Sequence, residues 1–241
     1  VAAGAVNSAA LLLTSADRHH PAGLANGSGV VGRNFMAHNN TVLMAFSPFR
    51  RNPTQFQKTF AINDYYEAYG NVQMRGKVLP QNLARSPRIG RRLFRRFIAA
   101  RSFDFWVMSE DLPDPENRVT VGTGPNGELT IHLARTLNAT RRHRAFVRIM
   151  RRHIKRAGLP FVLAREPSPS AIQHQVGTIR FGDDPETSAL NRDCRAWEVE
   201  NLYVVDGSVF PSAAAVNPAL TIAANALRVG ALLQRSFERA V

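Results

Sequence analysis

The 241-residue sequence contains one cysteine, Cys194. A single cysteine excludes a disulfide framework and a four-cysteine zinc site. No apolar run approaches the roughly 20 residues that cross a bilayer. No P-loop and no G-x-S-x-G turn occurs. His19-His20, His38 and His174 lack ligand-like spacing for zinc, so no metal site is expected. Acidic residues are sparse, 18 against 31 lysines and arginines, for a formal net charge of +13. The apolar opening VAAGAVNSAALLLTSA has no positively charged start, so it is not a signal peptide. It begins on Val rather than Met, as if in mid-strand, and reads as a partial chain.

Hydrophobic residues make up 44% of the chain and charged residues 20%, enough for a core in one or two domains and too apolar for disorder. Much of the positive charge sits in two stretches, Arg85 to Phe97 and Arg141 to Arg156. Such charge attracts polyanions or an anionic membrane surface, or simply solvates the outer face of a helix. No zinc finger, aromatic stacking series or helix-turn-helix accompanies it, so nucleic acid is not expected as a partner. Asn26, Asn39 and Asn138 fit the glycosylation pattern, but nothing in the sequence supplies a secretory context.

The chain changes character twice. Residues 1–4 read as the end of a buried strand, with Gly4 for the turn and Asn7-Ser8 capping a short helix from Ala9 to Ala16. Residues 19–32 carry Pro21 and four glycines and read as loop. Strands are expected at 41–49, 59–66 and 103–110, and a hairpin at 119–121 and 129–133. Amphipathic basic helices are expected at 88–101 and 137–157. Ser168-Pro169-Ser170 is a boundary candidate. Beyond it, the apolar run 201–208 ends in Asp206-Gly207, and 218–233 is a mostly apolar helix. The expected fold is therefore α/β in its outer parts, 1–45 and 168–241, around an antiparallel-rich α+β middle at 46–167.

Three groups can carry chemistry. His174, in Gln173-His174-Gln175-Val176-Gly177, can exchange a proton near neutral pH and take one from an alcohol; read plainly, it is an ordinary surface or packed histidine. Asn217-Pro218 suits the cap and first turn of a helix, whose amides favour an anionic group; the plain reading is a capped helix. Asp206-Gly207 lies where open α/β sheets contact ligands, although Asp-Gly turns are common.

Taken together, His174-Gln175-Val176-Gly177-Thr178, then Asn201 to Pro211, then Asn217-Pro218-Ala219-Leu220-Thr221 resemble the closing signature of the glucose–methanol–choline (GMC) oxidoreductases. Ala3-Gly4-Ala5-Val6-Asn7-Ser8 is similar to that family's turn beside the flavin. Gly32-Arg33-Asn34-Phe35-Met36-Ala37-His38 is similar to its G-R-N-L-x-D-H stretch, with Ala37 where an acid is usual. The resemblance covers nearly the whole chain.

It implies a partial FAD-binding α/β domain with an inserted antiparallel substrate domain, lacking the amino-terminal dinucleotide-binding part that supplies the pyrophosphate contacts. It implies FAD-dependent oxidation of an alcohol or sugar, with His174 as base, Asn217 donating a hydrogen bond to the substrate oxygen, and hydride passing to flavin N5. Gly4, Asn7, Asp206, Gly207, Pro218, Ala219, Leu220 and Thr221 would lie against FAD, Pro218 without an N–H to give. Partners would be the amino-terminal half and an electron acceptor, and the basic helices favour a dehydrogenase over an oxidase. The rival reading is a non-catalytic interaction module with a basic surface. It expects His174 and Asn217 to lie far apart or to be buried without a cavity.

Overall fold

A computed structural model describes residues 1–54, 56–76, 96–122, 128–132, 137–166 and 173–240. The chain divides into two compact units, one made of 1–38, 111–135 and 172–241, the other of 39–110 and 136–171.

In the first unit, helix α1 (Ala5–Thr14) starts at Gly4, whose φ of +85° is open to glycine at little cost. Its Ala5, Ser8, Ala9 and Leu12 recur at helical spacing and are buried. The helix therefore begins four residues earlier than the expected Ala9, because Ser8 faces inward and the cap falls on Gly4. Ala9 and Leu12 join Phe35, Val119, Ile179, Leu190, Val204, Val209 and Val229 in one core.

Residues 111–135 belong to this unit, although the sequence pattern groups them with the middle of the chain. The reason is local: Gly32 and Val119 bond through their backbones at 2.8 Å, and Val119 is buried in the same core as α1. Strands β5 (Arg118–Val121) and β6 (Leu129–His132) form the expected hairpin. The stretch 122–127 has the glycine spacing of a dinucleotide fingerprint, yet it joins two antiparallel strands rather than leading a strand into a helix.

The strands expected at 1–4 and 201–208 are not regular ladders. Val1 instead pairs by backbone with Tyr203 and Val205, at 2.6 and 3.0 Å. Residues 177, 179 and 181 donate in turn to the carbonyls of Gly207, Ser208 and Val209, where a single 3-10 turn (Gly207–Val209) forms. The apolar closing run becomes helix α3 (Ala219–Ala240). Val229 is buried, whereas Leu220 and Leu227 on the outward face are 86% and 76% exposed.

The second unit is a five-stranded antiparallel sheet in the order β2-β3-β4-β1-β7. Its strands are β1 (Asn39–Phe46), β2 (Ala61–Ile62), β3 (Gly70–Gly76), β4 (Ser102–Ser109) and β7 (Phe161–Arg165). Helix α2 (Leu137–Arg156) covers one face, with Phe146, Met150 and Ile154 against Leu43, Ala45, Phe105, Val107 and Val162. The period-2 alternation leaves Trp106 and Met44 on the opposite face, where the Arg75 guanidinium lies 4.4 Å from the Trp106 ring. The expected strand at 59–66 shrinks to two residues. Its neighbour β3 was not read from the sequence, since Gly70, Asn71, Gln73 and Arg75 hide its alternation. Most of the helix expected at 88–101 lies outside the described residues; 96–99 are helical.

Candidate functional site

The site is built where residues 34–38 run antiparallel to 174–178. Met36 and Val176 exchange both backbone hydrogen bonds, each at 3.0 Å. That register sets His38 directly across from His174, and their rings meet edge to face with centroids 4.8 Å apart. The close approach depends on Gly177, at φ +95°, where a Cβ would fall 2.3 Å from Met36 Cε and 2.5 Å from the Asn34 carbonyl. Gly177→Ala is therefore expected to destabilise the fold by about 3 kcal/mol through overpacking and left-handed strain. A melting curve matching the wild type would contradict this.

His174 sits half-buried at φ +61°, a backbone region that non-glycine residues rarely adopt. Such strain persists where the surroundings hold it, commonly at functional positions. Asn217, at the start of α3, brings Nδ2 to 2.9 Å from His174 Nε2. Donation from the amide makes Nε2 the acceptor, so the imidazole presents its lone pair at the point where the amide presents its N–H. An alcohol oxygen inserted there would meet a base and a donor together. Of the two arrangements expected of a non-catalytic module, wide separation is not the one the chain adopts.

His38 was not selected from the sequence, because nothing in its spacing reveals a partner 136 positions away. It is 5% exposed, and its ring nitrogens are buried without a well-aligned hydrogen bond among the described residues. Burial, and secondly the neighbouring His174, lower its pKa to about 4, with the Val216 backbone opposing weakly. His38 therefore stays neutral when His174 gains a proton. Above pH 6.5 the ring is neutral folded or unfolded, but as pH falls from 6.5 towards 4 only the unfolded chain takes up the proton. Up to about 3 kcal/mol of stability should be lost across that window. His38→Phe, which keeps a ring there, should flatten this part of a stability–pH curve measured by urea denaturation.

The Asp206 carboxylate accepts from the Gly4 N–H at 2.9 Å and from Ser8 Oγ on one oxygen, and from the Ser208 N–H and hydroxyl at 2.8 and 2.5 Å on the other. Its side chain thus fastens the first turn of α1 to the 206–208 turn. Gly207 also serves the packing here: a Cβ would meet the Gln175 carbonyl at 2.9 Å. Asn7 is exposed on α1, Pro218 is half-buried, and Ala219, Leu220 and Thr221 are exposed in the first turn of α3. Both helix starts leave backbone N–H groups without helical partners, a setting that suits an anionic group. Among the described residues, no set of three His, Cys, Asp or Glu side chains could hold a metal ion, and no helix is long and apolar enough to cross a membrane.

A histidine–amide pair at the start of α3 can accept a proton and donate a hydrogen bond at one point. Sequence comparison narrows the class. Residues 113–226 match the family described as "GMC oxidoreductase". The chain is 30% identical over 266 residues to 2-methyl-1,2-propanediol dehydrogenase of Mycolicibacterium austroafricanum, covering 98% of this chain and 48% of that protein. It is 26% identical to the fructose dehydrogenase large subunit of Gluconobacter japonicus, covering 95% and 45%. In fold, it superposes on pyridoxine 4-oxidase of Mesorbium loti with a TM-score of 0.62 at 20% identity, over 99% of this chain and 50% of that one. The chain matches the carboxy-terminal portion of the GMC oxidoreductases. It spans about half the length of the curated relatives it matches.

Proposed function

We propose that this chain supplies the proton-handling half of an FAD-dependent centre that oxidises an alcohol or sugar hydroxyl. The observation that carries the reading is the 2.9 Å approach of Asn217 Nδ2 to His174 Nε2, two residues 43 positions apart. His174 Nε2 takes the hydroxyl proton while the Asn217 amide holds the oxygen, so that negative charge developing there is met by a donor. His38, neutral beside it, does not repel the resulting imidazolium. FAD, when bound, would supply a hydride acceptor at its N5.

The residues present fit such a group. The exposed first turn of α3 at Ala219, Leu220 and Thr221, after Pro218, offers amides to the anionic edge of a flavin, and Gly4 and Asn7 offer a second helix start. Asp206 and Gly207 contribute by fixing that start in place. The outward Leu220 and Leu227 are an apolar surface suited to cover by the amino-terminal part of the same enzyme, which carries the dinucleotide fingerprint in this family. The substrates in the names of two relatives, a diol and a sugar, support a small polyhydroxy compound, and both dehydrogenases and oxidases stand among the similar proteins.

The test is a flavin absorbance spectrum of the purified protein, followed by anaerobic addition of diols, sugars and simple alcohols. Bleaching identifies the substrate class. Re-oxidation by an artificial acceptor without hydrogen peroxide identifies a dehydrogenase, and stoichiometric peroxide in air an oxidase. A flavin-loaded protein that no alcohol bleaches would overturn the reading.

A further inference from the structure

A cavity of about 560 Å³ opens between α2 and β7, and neither His174 nor Asn217 lines it. Arg141, Arg144 and Arg148 line one wall at i, i+3 and i+7, which places all three on the same helical face. Val147, Ala164 and Thr41 form the rest of the lining with Arg165 and Glu166. Glu166 is the one acid among those residues, so the cavity carries a clear excess of positive charge. Among the described residues, no ion pair engages any of the three helical arginines.

The helix that carries them is electrostatically unfavourable by itself. Its twenty residues, LNATRRHRAFVRIMRRHIKR, hold eight arginines and lysines and no acid. Like charges at i, i+3 and i+4 repel, and Arg141 and Arg144 lie in the half of the helix where the macrodipole already presents positive charge. A solvated surface helix relieves such strain with interspersed acids, and this one does not.

The wall is nevertheless fixed. His143, buried on the other side of the helix, bonds Thr41 Oγ1 at 2.9 Å and Ser109 Oγ at 2.8 Å, which ties α2 to β1 and β4. Further along, the Arg151 guanidinium donates to the Val162 carbonyl at 3.2 Å and ties it to β7. Phe146, Met150 and Ile154 anchor the buried face. Exposed guanidiniums carried on a fixed helix, with no ion-pair partner among the described residues, form a site for a doubly or triply charged oxyanion, because each fork can present paired N–H groups to phosphate-type oxygens.

We propose that the α2–β7 cavity binds a small soluble polyanion of the phosphate class, such as a phosphomonoester or pyrophosphate, through Arg141, Arg144 and Arg148. Pyrophosphate is the probe. Isothermal titration of the purified protein with pyrophosphate, at constant ionic strength set by sodium chloride, should give saturable one-to-one binding. The double variant Arg144→Gln/Arg148→Gln should weaken it by about tenfold or more, as expected for lost charge-assisted bonds. Lys155→Gln/Arg156→Gln removes the same charge from α2 outside the cavity and should leave the affinity within about twofold. Equal weakening by both double variants would mean unspecific attraction to net charge and would overturn the site. So would sedimentation with phosphatidylserine vesicles, reduced by the Arg144/Arg148 variant, in the absence of saturable pyrophosphate binding, since the face would then serve a membrane. If the Arg144/Arg148 variant is unfolded by circular dichroism, Arg148→Lys, which keeps the charge and loses the fork, replaces it; unchanged pyrophosphate affinity in that variant would overturn the bidentate site.

Discussion

Replacing His174 with alanine is expected to lower kcat for alcohol oxidation by about 10³-fold while leaving bound flavin nearly unchanged, the loss typical of a removed general base. The expectation rests on position and protonation. His174 Nε2 is the acceptor that faces the Asn217 amide at 2.9 Å, and the neighbouring His38, with its pKa lowered to about 4, cannot substitute as a base while it stays buried behind the His174 ring. Because His174 adopts φ +61°, alanine there also carries some backbone strain, so His174→Asn, which tolerates this region better, is the companion variant. Asn217→Ala should cost about 10²-fold by removing the donor to the substrate oxygen. If His174→Asn retains wild-type turnover on the bleaching alcohol, His174 is not the base and the proton path must be sought elsewhere.

The second large effect concerns stability. Asp206→Ala is expected to destabilise the protein by about 3 kcal/mol in urea denaturation, the scale for removing a buried charged acceptor from its donors. The carboxylate is 7% exposed and accepts from Gly4, Ser8 and Ser208. Its loss strands two backbone N–H groups and two hydroxyls at once, at the entry to α1 and at the 207–209 turn. Asp206→Asn keeps the shape and one acceptor oxygen and should cost about half as much. A change below about 0.5 kcal/mol for Asp206→Ala would mean that water replaces the carboxylate, a result the burial argues against. The same variant separates two roles for the residue. If Asp206 acts by holding α1, flavin content should fall in step with stability; if it touches the cofactor itself, flavin should be lost from a protein that remains folded.

Some of this molecule was legible in its sequence because the signal is local. The arginine-rich segment 137–157 has apolar residues at helical spacing, and α2 spans Leu137–Arg156. The closing helix was read from Pro218 and the apolar run after it, and α3 spans Ala219–Ala240. The strand at 103–110 alternates plainly, and β4 is Ser102–Ser109. The order and spacing of residues 174–178, 201–211 and 217–221 carried the family and with it the candidate base and donor. Periodicity, capping and motif are properties of neighbouring residues, and a single chain displays them without folding.

What the tertiary structure decided is pairing across distance. Strand β3 has Gly70, Asn71, Gln73 and Arg75 in place of an apolar alternation, and it is a strand because β4 and β2 bond it on both sides. The segment 111–135 joins the first unit because Val119 fills a core beside α1, which its own composition does not encode. Asp206 looks like the acid of a common turn, and only the fold reveals four donors converging on it. His38 looks like any histidine in a loop until the Met36–Val176 pairing sets its ring against His174. Each of these depends on which backbone lies opposite which, and that choice belongs to the packed chain as a whole rather than to any stretch of its sequence.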